Sequence, residues 1–218
     1  MPTSASAAPE LQELHARIRA CTLCGLHATR TQAVPGTGPA HARIMIVGEA
    51  PGANEDLQGH PFVGAAGKLL DNLLAKIGLG RQDVFVTNVL KCRPPMNRDP
   101  MPNEAEACLP YLRRQFAIVR PAAVLILGRH ALERMLPGVG SISRVHGQIF
   151  MRSDVAFMPC YHPAAALHNG ALLADLERDF ERVREYLDRL FPQPEPEPEP
   201  APAAAAEPAS PSEQLPLI

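Results

Sequence analysis

Four of the five cysteines in the chain have a spacing typical of metal ligands. Cys21 and Cys24 form a C-x2-C pair, and after 67 further residues come Cys92 and Cys108, with 15 residues between them. Zinc favours compact cysteine pairs, whereas a 4Fe-4S cluster accepts one pair and two separated cysteines equally well, so the spacing leaves both metals open. Four unconnected buried thiols are the alternative. Cys160 ends an apolar stretch, where a core cysteine is expected.

A second set of polar residues follows apolar stretches of the chain. The sequence RIMIVGEAPGANED, residues 43–56, begins with a run typical of a strand buried on both faces and then changes to a loop that ends on Glu55 and Asp56. Residues 88–97 and 161–169 follow two other apolar runs in the same way. Because ligands of open α/β sheets bind at the carboxyl ends of the strands, we expect these three loops to converge on one crevice.

Strand and helix patterns alternate along the chain between these loops. Apolar runs at 43–47, 84–90, 122–128 and 155–160 predict four buried strands. Apolar residues at helical spacing predict helices at 10–20, 64–78, around Cys108, at 129–136 and at 171–190. The sequence therefore predicts an α/β fold with a central, mostly parallel sheet and helices on both faces, in a single domain.

The composition separates a domain from a tail. With 218 residues, 46% of them hydrophobic, the chain is long enough for one buried core. Residues 1–191 carry 21 basic and 18 acidic side chains, whereas residues 192–218 carry five glutamates and no basic residue. The small positive excess of the domain is compatible with contacts to a phosphate backbone but does not indicate them. No stretch approaches the roughly 20 apolar residues of a membrane span, so we expect a soluble cytoplasmic protein with no membrane contact.

The two ends of the chain differ from the domain in composition. Residues 1–9 are small and polar and predict a disordered N-terminus, which leaves residues 10–191 as the folded domain. Residues 192–213, rich in Pro, Glu and Ala, predict a disordered linker. The chain ends in a short apolar peptide that resembles the Gln-Leu-x-Leu-Phe pattern through which bacterial proteins bind the replication sliding clamp; a frayed apolar terminus is the alternative. This peptide consists of Gln214, Leu215, Pro216, Leu217 and Ile218.

In combination, the motifs resemble those of the iron-sulfur uracil-DNA glycosylases, the branch called family 4. The similarity runs over about residues 10–190 and rests on C-x-x-C, GEAPGANED, HPFVGAAGKLLD, TNVLKCRPPMNRDP, the later Cys108, LG at the end of a strand, and YHPA. It implies the α/β glycosylase fold and a DNA-repair enzyme that hydrolyses the bond between uracil and deoxyribose, leaving an abasic site for base excision repair. It also implies a 4Fe-4S cluster on Cys21, Cys24, Cys92 and Cys108, and uracil-containing DNA as the substrate. We expect a monomer that acts at the nucleoid of a prokaryotic cell.

The resemblance implies roles for three residues in contact with the base. Phe62 would form an aromatic floor under an everted base. The side-chain amide of Asn88 would read the uracil edge by donating to O4 and accepting from N3–H, and cytosine, which presents the opposite pattern, would be rejected. His162 would donate a hydrogen bond to uracil O2 and stabilise the departing anion.

Two carboxylates are the candidates to orient the attacking water, Glu49 and Glu55. Better-known glycosylases of the superfamily carry an aspartate for this task in GQDPY, at the position of Ala50 here, so the choice between the two glutamates stays open. One relative captures DNA covalently through a histidine after the second strand; KCRPPMNRDP contains no histidine, so we expect hydrolysis.

The remaining predicted contacts surround the base and the DNA backbone. The glycines of the first loop let the backbone approach the base closely, and the other residues line the pocket or support it. The predicted substrate-binding residues are Gly48, Glu49, Ala50, Gly52, Phe62, Asn88, Asn97 and His162. The predicted DNA contacts are Arg93, Arg98 and Arg144 to phosphates and Leu167 as a wedge in the gap left by the flipped base.

Three other functions are alternatives to excision. A non-enzymatic iron-sulfur module for DNA binding, electron transfer or redox sensing accounts for the cysteines but gives no reason for Phe62, Asn88 and His162. A DNA-binding protein without catalysis would need a more basic domain. A nucleotide-binding enzyme would carry G-x-G-x-x-G or a P-loop lysine, which the loop at 48–56 lacks.

Overall fold

The predicted sheet is present in the computed structural model, which describes residues 4–191. Its strands are β1 (Ile44–Gly48), β2 (Val84–Asn88), β3 (Ala123–Leu127), β4 (Phe150–Arg152) and β5 (Val155–Cys160). They lie in the order β2-β1-β3-β5-β4. β1 pairs in parallel with β2 and β3, β3 pairs in parallel with β5, and β4 pairs antiparallel with β5 at one edge.

Helices cover both faces of the sheet. The α-helices are α1 (Ser4–Arg19), α2 (Ala53–Gln58), α3 (Ala65–Lys76), α4 (Pro102–Val119), α5 (Arg129–Met135), α6 (Ile142–Val145), α7 (Pro163–His168) and α8 (Gly170–Leu190). Short 3-10 helices occupy Gly25–Ala28 and Pro95–Asn97.

Alternate residues of the central strand β1 face two separate cores. Met45 and Val47 belong to a buried cluster with residues of α1, α4 and α5, whereas Ile44 and Ile46 belong to a cluster with residues of α3 and α8. This period of two is the pattern of a strand, and each buried aliphatic side chain stabilises the fold by roughly 1.5–3 kcal/mol. The helices therefore form one layer on each face, as the sequence predicts.

The register of the strands brings the loops together. Gly48 at the end of β1 pairs directly with Asn88 at the end of β2. The chain passes from β1 to β2 on one side of β1 and later returns to β3 on the other side, so a topological switch point lies beside β1. Clefts at such points are the usual ligand sites of open α/β sheets.

The α/β fold is confirmed, and two local features differ from the sequence-based expectation. α1 begins at Ser4, ahead of the domain start predicted at residue 10, and it contains Pro9 in its interior. β4 is an additional strand, joined to β5 by Ser153 and Asp154, which both have positive φ. The predicted linker 192–213 and the clamp-type peptide 214–218 lie outside the described residues. Among the described helices, none has the length and apolar character needed to cross a bilayer.

Candidate active site

A cavity of about 400 Å³ opens at the carboxyl ends of β1 and β2. It is lined by loop residues after β1, by the last residue of β2, by the Pro-rich loop that follows, and by the residues after β5. The cavity brings together seven of the eight residues predicted to bind the substrate and both predicted glutamates. These are Glu49, Ala50, Gly52, Glu55, Phe62, Asn88, Asn97 and His162.

Gly48, the eighth predicted residue, lies against two of the residues that line this cavity. A Cβ atom at this position would lie 2.4 Å from Oδ1 of Asn88 and 2.6 Å from Cζ of Phe62. Since real Cβ atoms do not approach other heavy atoms so closely, any side chain here would displace one of these two residues. The glycine therefore allows Asn88 and Phe62 to occupy the same wall.

Phe62 is held in an unusual backbone conformation. Its φ is 54°, in the left-handed region that a bulky residue rarely adopts, and such strain is often found at functional sites. The guanidinium of Arg81 donates to the Phe62 carbonyl oxygen at 2.8 Å and forms an ion pair with Asp71. The Phe62 ring lies 5.6 Å from the His162 ring, centroid to centroid, at an angle of 23°. Arg81 thus supports the pocket wall, a role that the sequence analysis did not anticipate.

Asn88 lines the cavity and carries a buried polar atom without a partner. The residue is 2% exposed, and its Oδ1 atom has no hydrogen-bond partner within residues 4–191. Leaving a buried acceptor without a donor costs about 1–3 kcal/mol, so such atoms are rare in the absence of a ligand. Asn88 therefore carries a spare acceptor beside the cavity, packed against the Gly48 backbone.

His162 is the N-cap of α7 and has a defined tautomer. Its Nδ1 accepts a hydrogen bond from the backbone N–H of Ala164 at 3.1 Å, which places the ring proton on Nε2. Burial lowers the pKa of His162 to about 4, and the nearby carboxylate of Glu55 opposes this effect only in part. The imidazole is therefore neutral near pH 7 and acts as a donor through Nε2–H.

The two glutamates have different surroundings. Glu55 accepts hydrogen bonds from the backbone N–H groups of Gly52, Val63 and Gly64, at 3.1, 2.8 and 2.9 Å. Both of its oxygens are thus used to fix the loops on either side of the cavity. Burial raises the pKa of Glu49, with His130 opposing, and its Oε2 lies 3.9 Å from Nε2 of His130. Glu49 has more freedom than Glu55 to contact a ligand or water.

The predicted DNA contacts lie in different places. Arg98 lines the cavity and pairs with Glu104 at 2.6 Å, so its guanidinium is already engaged by a protein carboxylate. Arg93 lies in the same loop and donates to Oδ1 of Asn97 at 2.7 Å. Arg144 is exposed on α6 and Leu167 is 48% exposed on α7; neither lines the cavity.

The four predicted metal ligands surround a separate pocket. Cys21 and Cys24 lie in the loop after α1, Cys92 follows β2, and Cys108 lies on α4. Arg30 donates to the Cys92 sulfur at 2.9 Å. N–H donors to cysteine sulfur are typical of metal-bound thiolates. The fifth cysteine is apart from this pocket, fully buried at the end of β5, as expected for a core residue.

The separation of the sulfurs can be compared with the geometry of a zinc site. A tetrahedral zinc ion with Zn–S bonds of about 2.3 Å holds its ligand sulfurs roughly 4 Å apart. In the part of the chain that the structure describes, no three cysteine sulfurs lie within 4.8 Å of one another. The described sulfurs are therefore spread more widely than the four ligands of a bound zinc ion.

Known proteins with similar sequences are consistent with this cavity and cysteine pocket. A family model described as the uracil DNA glycosylase superfamily matches residues 35–190. A type-4 uracil-DNA glycosylase of Sulfurisphaera tokodaii is 47% identical over 184 residues, which cover 80% of this chain and 84% of that protein. Type-4 uracil-DNA glycosylases of Archaeoglobus fulgidus and Thermotoga maritima are 47% identical over 183 residues and 40% identical over 185 residues. These alignments cover 80% and 83% of this chain and 92% and 96% of the two relatives. The chain belongs to the uracil-DNA glycosylase superfamily.

Proposed function

We propose that this chain excises uracil from DNA by hydrolysing the N-glycosidic bond of deoxyuridine, which leaves an abasic site for base excision repair. The observation that carries the proposal is the buried Asn88 Oδ1 without a partner within residues 4–191, in the same cavity as the His162 imidazole. Uracil N3–H is a donor for the first group, and uracil O2 is an acceptor for the second. The names of the type-4 relatives support the same reaction.

Recognition begins with an everted nucleotide, since the glycosidic bond of a stacked base cannot reach the cavity. The Phe62 ring offers an apolar face for the pyrimidine, and the Asn88 amide accepts from N3–H and donates to O4. Cytosine carries an acceptor at N3 and a donor at N4, so both groups would be mismatched in the buried site. A site built to pair with polar groups rejects such a mismatch strongly, because its own buried groups are left unpaired.

Replacing Gly48 with alanine tests this recognition pocket. The added Cβ would meet Asn88 Oδ1 and Phe62 Cζ, so one of them must move, and we expect kcat/KM for uracil excision to fall at least about 10²-fold. Gly170→Ala is the matched control, because a Cβ there meets nothing within 4 Å. Wild-type kcat/KM in a folded Gly48→Ala enzyme would show that this wall does not hold the base.

Departure of the base is assisted by His162. As the glycosidic bond breaks, negative charge develops on the uracil, part of it on O2. A neutral imidazole with its proton fixed on Nε2 donates to that oxygen without having to lose a proton. The Ala164 N–H holds the ring orientation in advance, so the donor needs no reorganisation when the charge appears.

Glu49 is our candidate for orienting the water that attacks the sugar. Its carboxylate lines the cavity, whereas the Glu55 oxygens are occupied by backbone N–H groups. A carboxylate beside the sugar also offsets the positive charge of an oxocarbenium-like transition state. In this account Glu55 positions the loops on both sides of the cavity.

The cysteine pocket fits a 4Fe-4S cluster held by Cys21, Cys24, Cys92 and Cys108. When bound, the cluster would supply four metal–thiolate links that brace the loop after α1, the segment after β2 and helix α4 against each other. Arg30 supplies a donor and a positive charge at Cys92, which suits a thiolate.

We assign residues 10–191 to the glycosylase domain.

Four side chains of this domain are proposed to contact DNA. Arg93 and Arg98 are close enough to the cavity to contact phosphates beside the flipped nucleotide, while Arg144 and Leu167 would contact DNA further from the base. We also propose that the protein acts as a monomer on uracil-containing DNA at the nucleoid of a prokaryotic cell.

The test is an excision assay on the cluster-bearing protein. An oligonucleotide with one uracil should be cut at that position after alkali treatment, and the same oligonucleotide with thymine should stay intact. Iron and sulfide should be found in equal amounts, at about four of each per chain, as a 4Fe-4S cluster requires. If the visible absorbance of the cluster is intact and no cleavage occurs, the non-enzymatic iron-sulfur module is the better description.

The C-terminal peptide provides a separate prediction. Deleting residues 214–218 should leave excision from a short oligonucleotide unchanged, because the domain and its cavity end before them. The same deletion should abolish co-elution with the sliding clamp of the same organism in size-exclusion chromatography. Leu215→Ala combined with Leu217→Ala is the control that keeps the chain length. If both the deletion variant and the double-alanine variant still bind the clamp, residues 214–218 are not the clamp-binding peptide.

A further inference from the structure

Lys91 is a fully enclosed lysine between the two sites. It is 1% exposed, and its Nζ donates at 2.6 Å to Oγ1 of Thr87, at 2.6 Å to the backbone oxygen of Asn88 and at 2.7 Å to Oε1 of Gln115. An ammonium group has three protons, and all three are used. Buried lysines are rare, so full hydrogen bonding of this kind indicates a specific role.

The same residue is part of the cysteine pocket. Its backbone N–H donates to the Cys108 sulfur at 3.2 Å, and the next residue in the chain is Cys92. Lys91 itself lines that pocket. Its main chain therefore contacts the proposed cluster ligands, while its side chain reaches back to the end of β2.

The partners of the ammonium are themselves fixed. Oγ1 of Thr87 donates to the carbonyl oxygen of Pro35 at 2.9 Å, and Nε2 of Gln115 donates to the same oxygen at 2.7 Å. These bonds leave Oγ1 and Oε1 as acceptors for Lys91, so the orientation of every group in the network is determined. Asn88 is the one residue of this network that also lines the cavity.

We propose that Lys91 is a positioning residue: its main chain contacts the cysteine centre, its buried ammonium holds the Asn88 carbonyl, and the two contacts together set the uracil-reading orientation of the Asn88 side chain. The inference rests on the proposed function. A cluster bound by four thiolates would be negatively charged, and the buried positive charge of Lys91, the residue before Cys92, would offset part of that charge. The hydrogen bond to the Asn88 carbonyl holds the backbone from which the reading amide projects.

Replacing Lys91 with methionine tests the link, because methionine has a similar length and no charge. In the cluster-bearing Lys91→Met protein we expect the inhibition constant of free uracil to rise at least about tenfold, as for a lost hydrogen bond from a charged group. The preference for uracil over cytosine should fall by a similar factor. Affinity for DNA that carries an abasic-site analogue should stay within about twofold, since that ligand lacks the base.

The reduction potential of the cluster is a second readout that does not depend on activity. Loss of a nearby positive charge disfavours the added electron, so the midpoint potential of Lys91→Met should be lower than that of the wild type. Lys76→Met is the control, since Lys76 lies on the surface and its side chain is 59% exposed. It should change neither the potential nor the inhibition constant.

The outcomes separate this inference from the proposed function. Suppose that the wild type excises uracil and that a folded Lys91→Met protein is inhibited by free uracil as strongly as the wild type. The proposed role of Lys91 would then be overturned, and the proposed function would stand. A wild type that does not excise uracil would instead overturn the proposed function. If Lys91→Met does not fold, Gln115→Leu removes one acceptor and keeps the ammonium. It should weaken uracil inhibition in the same direction and by a smaller factor, and unchanged inhibition there would also overturn the inference.

Discussion

Replacing His162 with alanine should lower kcat for uracil excision by about 10²–10³-fold, the usual effect of removing one pre-aligned donor from a developing anion. The donor is pre-aligned because Ala164 N–H holds Nδ1 and leaves the proton on Nε2. Affinity for uracil-containing DNA should change little, since most of that affinity comes from phosphate contacts. Single-turnover kinetics and a binding titration with the same oligonucleotide measure the two quantities separately.

His168→Ala is the matched control for this prediction. His168 lies on the same helix, α7, but is exposed and does not line the cavity. The pH profile adds a further check. With its pKa lowered to about 4 by burial, His162 stays neutral from about pH 5 to 8, so it should give no step in kcat near pH 6.5. Equal losses in kcat and in DNA affinity would contradict the leaving-group role.

Replacing Asn88 with aspartate lowers the preference for uracil over cytosine at least about 10²-fold. The ionised aspartate keeps an acceptor for uracil N3–H but has no donor for O4. The same oxygens accept well from the N4 amino group of cytosine, so uracil loses a bond and cytosine gains one. The measurement is the ratio of kcat/KM for two oligonucleotides that differ only in this base.

Asn169→Asp is the control for the selectivity experiment. Asn169 caps the N-terminus of α8 by accepting from Ala171 N–H at 3.1 Å, and aspartate caps helices equally well. The Asn169→Asp protein should therefore prefer uracil over cytosine as strongly as the wild type does. If the preference of Asn88→Asp also stays at the wild-type value, Asn88 does not read the base.

The positions that line the cavity could be predicted because each follows a buried strand or belongs to a recognisable motif. Asn88 is the last residue of β2, and His162 comes two residues after β5. Parallel strands place their carboxyl ends at one edge, so these residues had to lie near each other once the sheet was predicted. The catalytic roles of these residues stay predictions until the variants are measured.

The supporting residues could not be predicted, because their contacts leave no pattern in the sequence. Arg81 donates to a carbonyl oxygen 19 residues away, and a charged residue after a helix is usually a solvated one. Lys91 follows a strand, where a lysine normally points into solvent. Glu55 was a candidate base from its chemical type and its place in the family motif, and only the structure shows three backbone N–H groups on its oxygens.

The extra strand β4 was missed for a similar reason. Its turn residues, Ser153 and Asp154, both have positive φ, a conformation for which Asn-Gly or Gly is the usual signal. Without that signal, a strand of three residues with exposed side chains resembles a loop. The antiparallel edge becomes visible only through its pairing with β5.

A crystal structure of the cluster-bearing enzyme with free uracil is the most direct test of how the base is bound. We predict that the pyrimidine lies flat on Phe62, with the Asn88 amide within hydrogen-bond distance of N3 and O4 and Nε2 of His162 within hydrogen-bond distance of O2. Uracil bound in another cleft, or bound in this cavity with its O2 directed away from His162, would contradict the account.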